Sequence, residues 1–170
     1  MLSEQDKQFL LKLARAVLED KEVDSEDMPS SLAEKGATFI SIYQENKLIH
    51  SIGSIIPVKE IFQDVLDNIL TIAPEIKEKN VIIEISVLSN FKKITGESEE
   101  ELLSQIIHHK HGVIIEKKKR LATLLPFVWQ QVQDKREFLN QICYKAQLEK
   151  DEWKKNADIS IYETETFREM

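Results

Sequence analysis

The chain has 170 residues, of which 42% are hydrophobic and 31% charged, and it carries a formal net charge of −7. This composition predicts a soluble globular protein, long enough for one good core and too short for two comfortable ones. The acidic balance argues against a general nucleic-acid or anionic-membrane binder, because both need an excess of lysine and arginine on the contacting face.

Membrane and export signals are also missing from the pattern. No apolar stretch approaches the roughly 18 residues needed to span a bilayer. The start, MLSEQDKQ, is acidic and polar where a signal peptide would be basic and then apolar. We therefore expect a cytoplasmic protein. Cys143 is the one cysteine, so an internal disulfide or a cysteine-based metal cage is excluded and a buried apolar role is expected.

The first half of the chain predicts a helix, a loop and a hairpin. Ser3 is placed to cap a helix whose apolar stripe recurs at helical spacing through Phe9, Leu10, Leu13, Ala14, Val17 and Leu18. An acidic loop follows at 22–29. Two strand-like runs within 37–57 are joined by a turn at 44–47 and predict a β-hairpin. Strict alternation on the return strand, 48–55, places Ile49, Ser51 and Gly53 on one face and Leu48, His50 and Ile52 on the other.

The second half alternates helices and strands. The pattern predicts a helix over 58–73 stopped by Pro74, a strong strand over 81–88, and a helix over 98–108 with Ser98 as its N-cap. A second hairpin is predicted at 113–116 and 121–125, and a helix within 134–148 buries Phe138, Leu139, Ile142, Cys143 and Ala146. The end of the chain alternates weakly and predicts an edge strand, where Glu163, Glu165 and Glu169 would discourage further pairing. Hairpins predominate, so the class is α+β: a mixed, mostly antiparallel sheet with flanking helices.

The order of these motifs resembles that of the AMMECR-type domain, protein A of what is called the AmmeMemoRadiSam system. The motifs that carry the resemblance are Ala14-Arg15, Leu48-Ile49-His50-Ser51-Ile52-Gly53, Glu84-Ile85-Ser86-Val87-Leu88, His111-Gly112, Leu124-Leu125-Pro126, Phe138-Leu139, Cys143-Tyr144-Lys145-Ala146 and Trp153. The resemblance implies a single AMMECR-type domain over residues 1–170. It also implies a Memo-type protein or a radical SAM enzyme as the partner in a shared pathway.

The sequence departs from the family at its central motif, Leu-Arg-Gly-Cys-Ile-Gly. Ile49 stands where the family has arginine, His50 where it has glycine, and Ser51 where it has cysteine. The family's Asp-Pro-Arg-Phe segment has no counterpart in 68–79. A guanidinium that could bind an anion and a thiolate nucleophile are therefore both missing.

Six residues form the candidate pocket that the resemblance and the residue chemistry indicate: Ile49, His50, Ser51, Gly53, Glu84 and His111. Glu84 is either a solvent-facing residue or a pocket carboxylate paired with whatever replaces the family's arginine. His50 is expected to point away from Ser51, so it cannot serve as its base. Ser51 is therefore expected to be structural.

Other chemical candidates have simpler interpretations. His108, His109 and His111 lie within four residues, but His108 and His109 face different directions at the helix end, and His111 lies beyond it with no acidic or cysteine ligand at ordinary spacing. We therefore expect no metal site, and we expect no cofactor. Lys145 is expected to be solvated, and Trp129 and Trp153 to anchor the C-terminal half.

Two functions stay open on this basis. The first is a noncatalytic binding or adaptor module in a Memo- or radical-SAM-linked pathway, with no nucleic-acid or membrane partner. The alternative is an enzyme or enzyme subunit with a pocket near Ser51, Glu84 and His111. The missing arginine and cysteine favour the first.

Overall fold

A computed structural model of the protein describes residues 1–22, 25–78 and 80–170. These residues form two compact units, one of Met1–Leu88 with Glu165–Met170 and one of Ser89–Thr164. Two long strands, β4 (Ile82–Ile94) and β7 (Asp158–Arg168), supply residues to both units. Strands and helices are mixed, and the sheet is antiparallel throughout its recorded pairs, which confirms the α+β class.

The first unit is a sheet packed against two helices. Its strand order is β2-β1-β4-β7, with β3 pairing to β1, and its elements are α1 (Glu4–Leu18), β1 (Lys35–Gln44), β2 (Lys47–Gly53), β3 (Lys59–Glu60) and α2 (Ile61–Ile72). The predicted hairpin is confirmed, because β1 and β2 pair antiparallel. Its turn residues Glu45 and Asn46 both have positive φ, as a type I′ turn requires.

The helices cover one face of this sheet with an apolar core. Side chains of α1 and α2 meet the inward residues of the strands, among them Leu10, Leu13, Val65, Ile69, Ile40, Ile42, Ile83 and Ile85. The predicted cap of α1 is confirmed: Ser3 Oγ accepts from the Asp6 amide, and the Asp6 carboxylate accepts from the Ser3 amide. This reciprocal arrangement satisfies two amides that the helix itself leaves unpaired.

The second unit has the strand order β4-β7-β5-β6. Its further elements are α3 (Glu99–Ser104), β5 (Gly112–Lys117), β6 (Arg120–Leu124) and α4 (Lys135–Lys145). The core of this unit contains both tryptophans: Trp129 stacks on Phe138 with ring centroids 3.7 Å apart, and Trp153 donates from Nε1 to Asn140. Cys143 is fully buried on α4, as its place in the apolar stripe predicts.

Several predicted boundaries are wrong, and each has a local cause. Helix α2 begins at Ile61 and not at 58, because Lys59 and Glu60 pair with β1. Helix α3 ends at Ser104, and residues 105–108 of the predicted helix are not helical. His109 lies in the turn at 108–110 and has a φ of 61°. Strand β4 continues to Ile94, six residues beyond the predicted end. In the predicted loop at 22–29, residues 23 and 24 lie outside the described chain.

The last strand is not at an edge along its first half. In the second unit β7 lies between β4 and β5, and Ile159 and Ile161 are buried there. The acidic side chains that were expected to prevent pairing have cationic partners within their own units: Lys110 lies 3.3 Å from Glu163, and Lys7 lies 3.2 Å from Glu165. Their charge is balanced at the surface, so it does not oppose the hydrogen bonds of the strand.

Left-handed backbone positions in this protein are held without glycine. Ten non-glycine residues of the described chain have positive φ, and none of the glycines does; the ten are Asp20, Glu45, Asn46, Asn90, His109, Lys118, Lys119, Gln147, Asp151 and Asn156. Two glycines are needed for close approach instead. A Cβ on Gly53 would lie 2.3 Å from the Phe39 ring, and one on Gly112 would lie 2.2 Å from the Tyr162 ring.

Candidate binding site on the first sheet

The central motif lies on β2, at the end of the strand order in the first unit. Ile42 pairs with His50 and Tyr43 pairs with Leu48, so Ile49 is an extra residue and forms a β-bulge. Ile49 and Ile52 both pack against the core cluster that α1 and α2 build. The predicted grouping of Ile49 with Ser51 and Gly53 on one face is therefore wrong, because the bulge breaks the strict alternation on which it rested.

Ser51 belongs to a row of polar side chains that crosses three strands. Ser41 pairs with Ser51 on one side and with Glu84 on the other, and cross-strand partners share a face of the sheet. The two serine hydroxyl oxygens lie 3.2 Å apart. Tyr43, two residues along β1, donates its hydroxyl to Glu84 Oε1 at 3.2 Å. We call Ser51, Ser41, Glu84 and Tyr43 the polar row.

The polar row lies on the face of the sheet opposite the core. The core side chains of β1 and β4 come from the positions that alternate with Ser41 and Glu84. Ser41 is buried, Glu84 and Tyr43 are half-buried, and Ser51 is exposed. The pKa of Tyr43 is raised, first by burial and then by the neighbouring Glu84 charge. The phenol therefore stays protonated and acts as a hydrogen-bond donor.

The chemistry available to the polar row is hydrogen bonding and one negative charge. Ser51 is exposed to solvent and is not enclosed by apolar neighbours. Its hydroxyl contacts another hydroxyl, which is a poor base at neutral pH. Glu84 stands two strands away, roughly 9 to 10 Å between Cα atoms, and its carboxylate already accepts from Tyr43.

His50 occupies a different position from Ser51. It pairs with the buried Ile42, and its Nδ1 lies 3.7 Å from a carboxylate oxygen of Glu75. Gly53 is adjacent to Phe39 across the strands, and the close ring contact explains why glycine is present at this place in the motif.

A buried aspartate ends the pairing of β1 with β2. Asp64 on α2 is 2% exposed and accepts hydrogen bonds from the Thr38 amide, the Thr38 hydroxyl, the Ser54 hydroxyl and the Asn68 amide nitrogen. Thr38 and Ser54 continue the β1–β2 register, so the carboxylate takes the Thr38 amide that the Ser54 carbonyl would otherwise accept. Sequence reasoning missed this residue, although its position within the apolar stripe of α2, between Ile61 and Val65, was a signal.

His111 is in the second unit, where it closes the turn after α3. It is 7% exposed, its Nδ1 accepts from the Ile107 amide at 3.1 Å, and its carbonyl accepts from Trp129 Nε1. The pKa of His111 is lowered, first by burial and then by the charge of Lys110. These contacts assign His111 a place in the packing of the turn.

The other histidines do not converge with it on a ligand. His108 packs edge-on against Trp129, and its Nε2 lies 2.6 Å from the Gln133 carbonyl, whereas His109 is exposed. Within residues 1–22, 25–78 and 80–170, no group of three His, Cys, Asp or Glu side chains is arranged to hold a metal ion. The same part of the chain contains no helix long and apolar enough to cross a membrane.

Most residues that match the family motifs have structural contacts. The Arg15 guanidinium binds Glu169 and the Val81 carbonyl, joining α1 to the start of β4 and the end of β7 within the first unit. Lys145 is not simply solvated, as had been expected: its Nζ donates to the Thr123 carbonyl at 2.9 Å, and partial burial lowers its pKa. The matching motifs are therefore those that build the two cores.

An antiparallel sheet covered on one face by helices, with a polar row that crosses its first three strands, defines a small α+β protein. Comparison with known proteins gives the family. A family model described as AMMECR1 matches residues 11–167, and the chain belongs to this family.

Relatives span nearly the whole chain. A protein of Methanopyrus kandleri is 27% identical over 99% of this chain and 90% of its own length. A protein of Aquifex aeolicus is 33% identical over 84% of this chain and 81% of its own. The crystal structure of an uncharacterized protein from Pyrococcus horikoshii has a TM-score of 0.86 at 27% identity and covers 99% of this chain and 93% of that one. This similarity supports the described fold.

Proposed function

We propose that the protein is a noncatalytic binding or adaptor module of the AMMECR1 family, and that the polar row on its first sheet contacts the partner. The observation that carries the proposal is the surroundings of Ser51. At the position of the family's cysteine, an exposed hydroxyl lies against the hydroxyl of Ser41, while the carboxylate of the row is turned to Tyr43. Such a set can form hydrogen bonds to a partner, but it lacks the nucleophile and base of a covalent catalyst.

The pathway in which the module acts is a further part of the proposal. The resemblance to the AmmeMemoRadiSam component supports a Memo-type protein or a radical SAM enzyme as its partner. Glu84 contributes a negative charge to the polar row, which favours a partner surface that presents hydrogen-bond donors or a cationic group.

Direct binding measurements test this proposal. The purified chain is immobilised, and the Memo-type and radical SAM proteins from the same genome are each titrated over it by biolayer interferometry. We expect saturable binding of one of them, weakened about tenfold by Glu84→Gln, since losing one charge-assisted contact costs roughly that much. The matched control is Glu116→Gln, which neutralises an exposed glutamate on β5 of the second unit and should leave binding unchanged.

A chemical test addresses the catalytic alternative. A fluorophosphonate probe reacts with serine hydroxyls that a neighbouring base activates. We expect no labelling of the native protein at Ser51, with Ser51→Ala as the reference for background. Labelling that disappears in Ser51→Ala would contradict a noncatalytic role, and absence of binding to both candidate proteins would contradict the adaptor role.

A further inference from the structure

The outer edge of β2 has a definite hydrogen-bonding pattern. The Ser54 amide donates to the Thr38 carbonyl at 2.9 Å, and the same register pairs Ile52 with Ile40 and His50 with Ile42. In an antiparallel ladder these alternate pairs exchange hydrogen bonds, and the residues between them do not. The amides and carbonyls of Ser51 and Gly53 therefore point away from β1, outward from the sheet.

These outward backbone groups lie on a short part of the β2 edge that lacks the usual features that block pairing with another strand. Proteins guard edge strands with lysine, bulges and proline. Here Lys47 and the bulge at Ile49 precede this part, and Pro57 follows it. The residues from Ser51 to Ser54 carry no charged side chain. Asp64 ends the β1–β2 ladder at Thr38, and the chain after Ser54 pairs next with the start of β1, through Lys59 and Glu60, and not with β2.

We propose that this edge accepts an extended segment of a partner polypeptide as an additional strand, hydrogen bonded to the backbones of Ser51 and Gly53. An extended chain is the occupant that the pattern favours, because donors and acceptors at every second residue match the repeat of a β-strand. The Ser51 side chain lies beside the incoming strand and at the end of the polar row. The inference rests on the proposed binding function and names its mode.

The hydrogen-bonding pattern of β2 allows the Ser51 amide and the Ser51 hydroxyl to be removed by separate substitutions. Ser51→Pro removes an amide that β1 does not use, and proline is tolerated on an edge strand where its nitrogen faces outward. Ser51→Ala removes the hydroxyl and keeps the amide. If the partner adds a strand, proline should weaken binding at least about tenfold, whereas alanine should change it by no more than a few fold. Equal losses in the two variants would instead assign recognition to the hydroxyl and overturn the inference.

The probe is a phage-displayed library of short random linear peptides, panned against the wild-type chain without any Memo-type or radical SAM protein. Enriched peptides are synthesised and titrated against wild type, Ser51→Pro and Ser51→Ala, each checked for an unchanged melting transition. Failure to enrich peptides that depend on the Ser51 amide would overturn strand addition even if a folded partner protein binds. Peptides that depend on the Ser51 amide would support strand addition even if neither the Memo-type nor the radical SAM protein binds. The experiment therefore separates failure of strand addition from failure of the adaptor role.

Amide hydrogen exchange on the wild type gives a readout that needs no variant. In the free protein the amides of Ser51 and Gly53 should exchange faster than those of Ile52 and Ser54, which face β1. Saturation with an enriched peptide should slow exchange at Ser51 and Gly53. Unchanged exchange at these two amides in the complex would contradict the inference.

Discussion

The thiol of Cys143 is an example of a residue whose environment follows from its sequence position. The spacing of Phe138, Leu139 and Ile142 defines one face of a helix, and Cys143 continues that face. In the structure it is fully buried, and burial raises its pKa. Both effects reduce the thiolate that reacts with electrophiles.

We therefore expect slow modification of Cys143 by a maleimide in the native protein and fast modification in concentrated guanidinium chloride. The measurement is mass spectrometry of the intact chain over time, with Cys143→Ser as the reference for side reactions. Rapid labelling of the native protein would show that the Cys143 thiol is accessible and reactive.

The hydrogen bond made by the His111 side chain was not predicted from the sequence. The family resemblance places His111 in the candidate pocket, and in the structure its Nδ1 accepts a hydrogen bond from the Ile107 amide. That contact depends on α3 ending at Ser104, which a short, acidic and polar stretch does not reveal. Lys110, Glu163 and Lys135 all influence its pKa, and the net direction is downward.

This lowered pKa predicts a pH-dependent stability. The unfolded chain binds a proton at His111 below about pH 6.5, whereas the folded chain resists it. The free energy of unfolding should therefore fall as pH is lowered from about 6.5 until the folded pKa is reached. His111→Asn keeps an acceptor for the Ile107 amide and does not titrate, so it should flatten this dependence.

The control for this experiment is His109→Asn. His109 is exposed and has positive φ, which asparagine tolerates. Urea unfolding from pH 7.5 to pH 5.5 on the wild type and both variants would measure the effect. If His109→Asn flattens the pH dependence of the free energy of unfolding as much as His111→Asn does, burial of His111 is not the cause of that dependence.

Among the elements, the β1–β2 hairpin was predictable and its register was not. Two strand-like runs around a short polar turn identify the hairpin, because few other structures join such runs so closely. The bulge at Ile49 depends on how Tyr43 and Ile42 pack, which a period-two pattern cannot show. The faces of Ile49 and Ser51 were therefore assigned wrongly relative to each other.

Asp64 connects α2 to both strands of that hairpin. Replacing it with asparagine exchanges one accepting carboxylate oxygen for a donating NH2 group. The Thr38 amide and the Ser54 hydroxyl bind different oxygens of Asp64, so one of these two donors loses its acceptor. We expect Asp64→Asn to lower the free energy of unfolding by about 3 kcal/mol, because buried unsatisfied groups lose both their hydrogen bonds and their hydration.

Asp67→Asn on the same helix is the matched comparison. Asp67 is half-exposed and pairs with Lys59 and Gln63, so its replacement should cost less than about 1 kcal/mol. Denaturant unfolding of both variants would test the difference. Similar losses would mean that the Asp64 network adds little to ordinary surface pairing.

At the scale of the whole molecule, the order of motifs predicted the fold and the family, and the biochemical role stays a prediction. The matched residues are mostly buried or tied to backbone, as Arg15 and Lys145 illustrate. The fold therefore follows from many weak signals in sequence order. The proposed binding site depends on which backbone groups face outward and on one buried carboxylate, and neither is visible as a pattern of residue types.

The protein as a whole should be sensitive to acid. Hydrogen bonds from Ser31, Arg136 and Lys117 lower the pKa values of Asp6, Glu99 and Glu152, respectively. A carboxylate whose pKa is lower in the folded state contributes stability above its unfolded pKa, and this is lost as pH falls through the folded pKa. We expect the melting temperature to decrease steadily below about pH 4.

Thermal unfolding followed by circular dichroism between pH 6 and pH 2 would measure this loss. Glu99→Gln should reduce the slope, because it removes one of the contributing carboxylates. A melting temperature that is constant or rises toward low pH would show that these carboxylates are not selectively stabilised in the folded state.

The non-glycine residues with positive φ are positions at which substitution could raise the protein's thermal stability. Each non-glycine residue at positive φ stores local strain, about 1 kcal/mol, and the turns at Glu45 and Lys118 lie at hairpin tips where side chains have room. Glu45→Asn and Lys118→Asn keep the turn geometry and relieve part of that strain, so each should raise the melting temperature by a few degrees. An engineer could therefore make a more heat-resistant form of this protein by editing its turns alone, leaving both cores and the motif strand untouched.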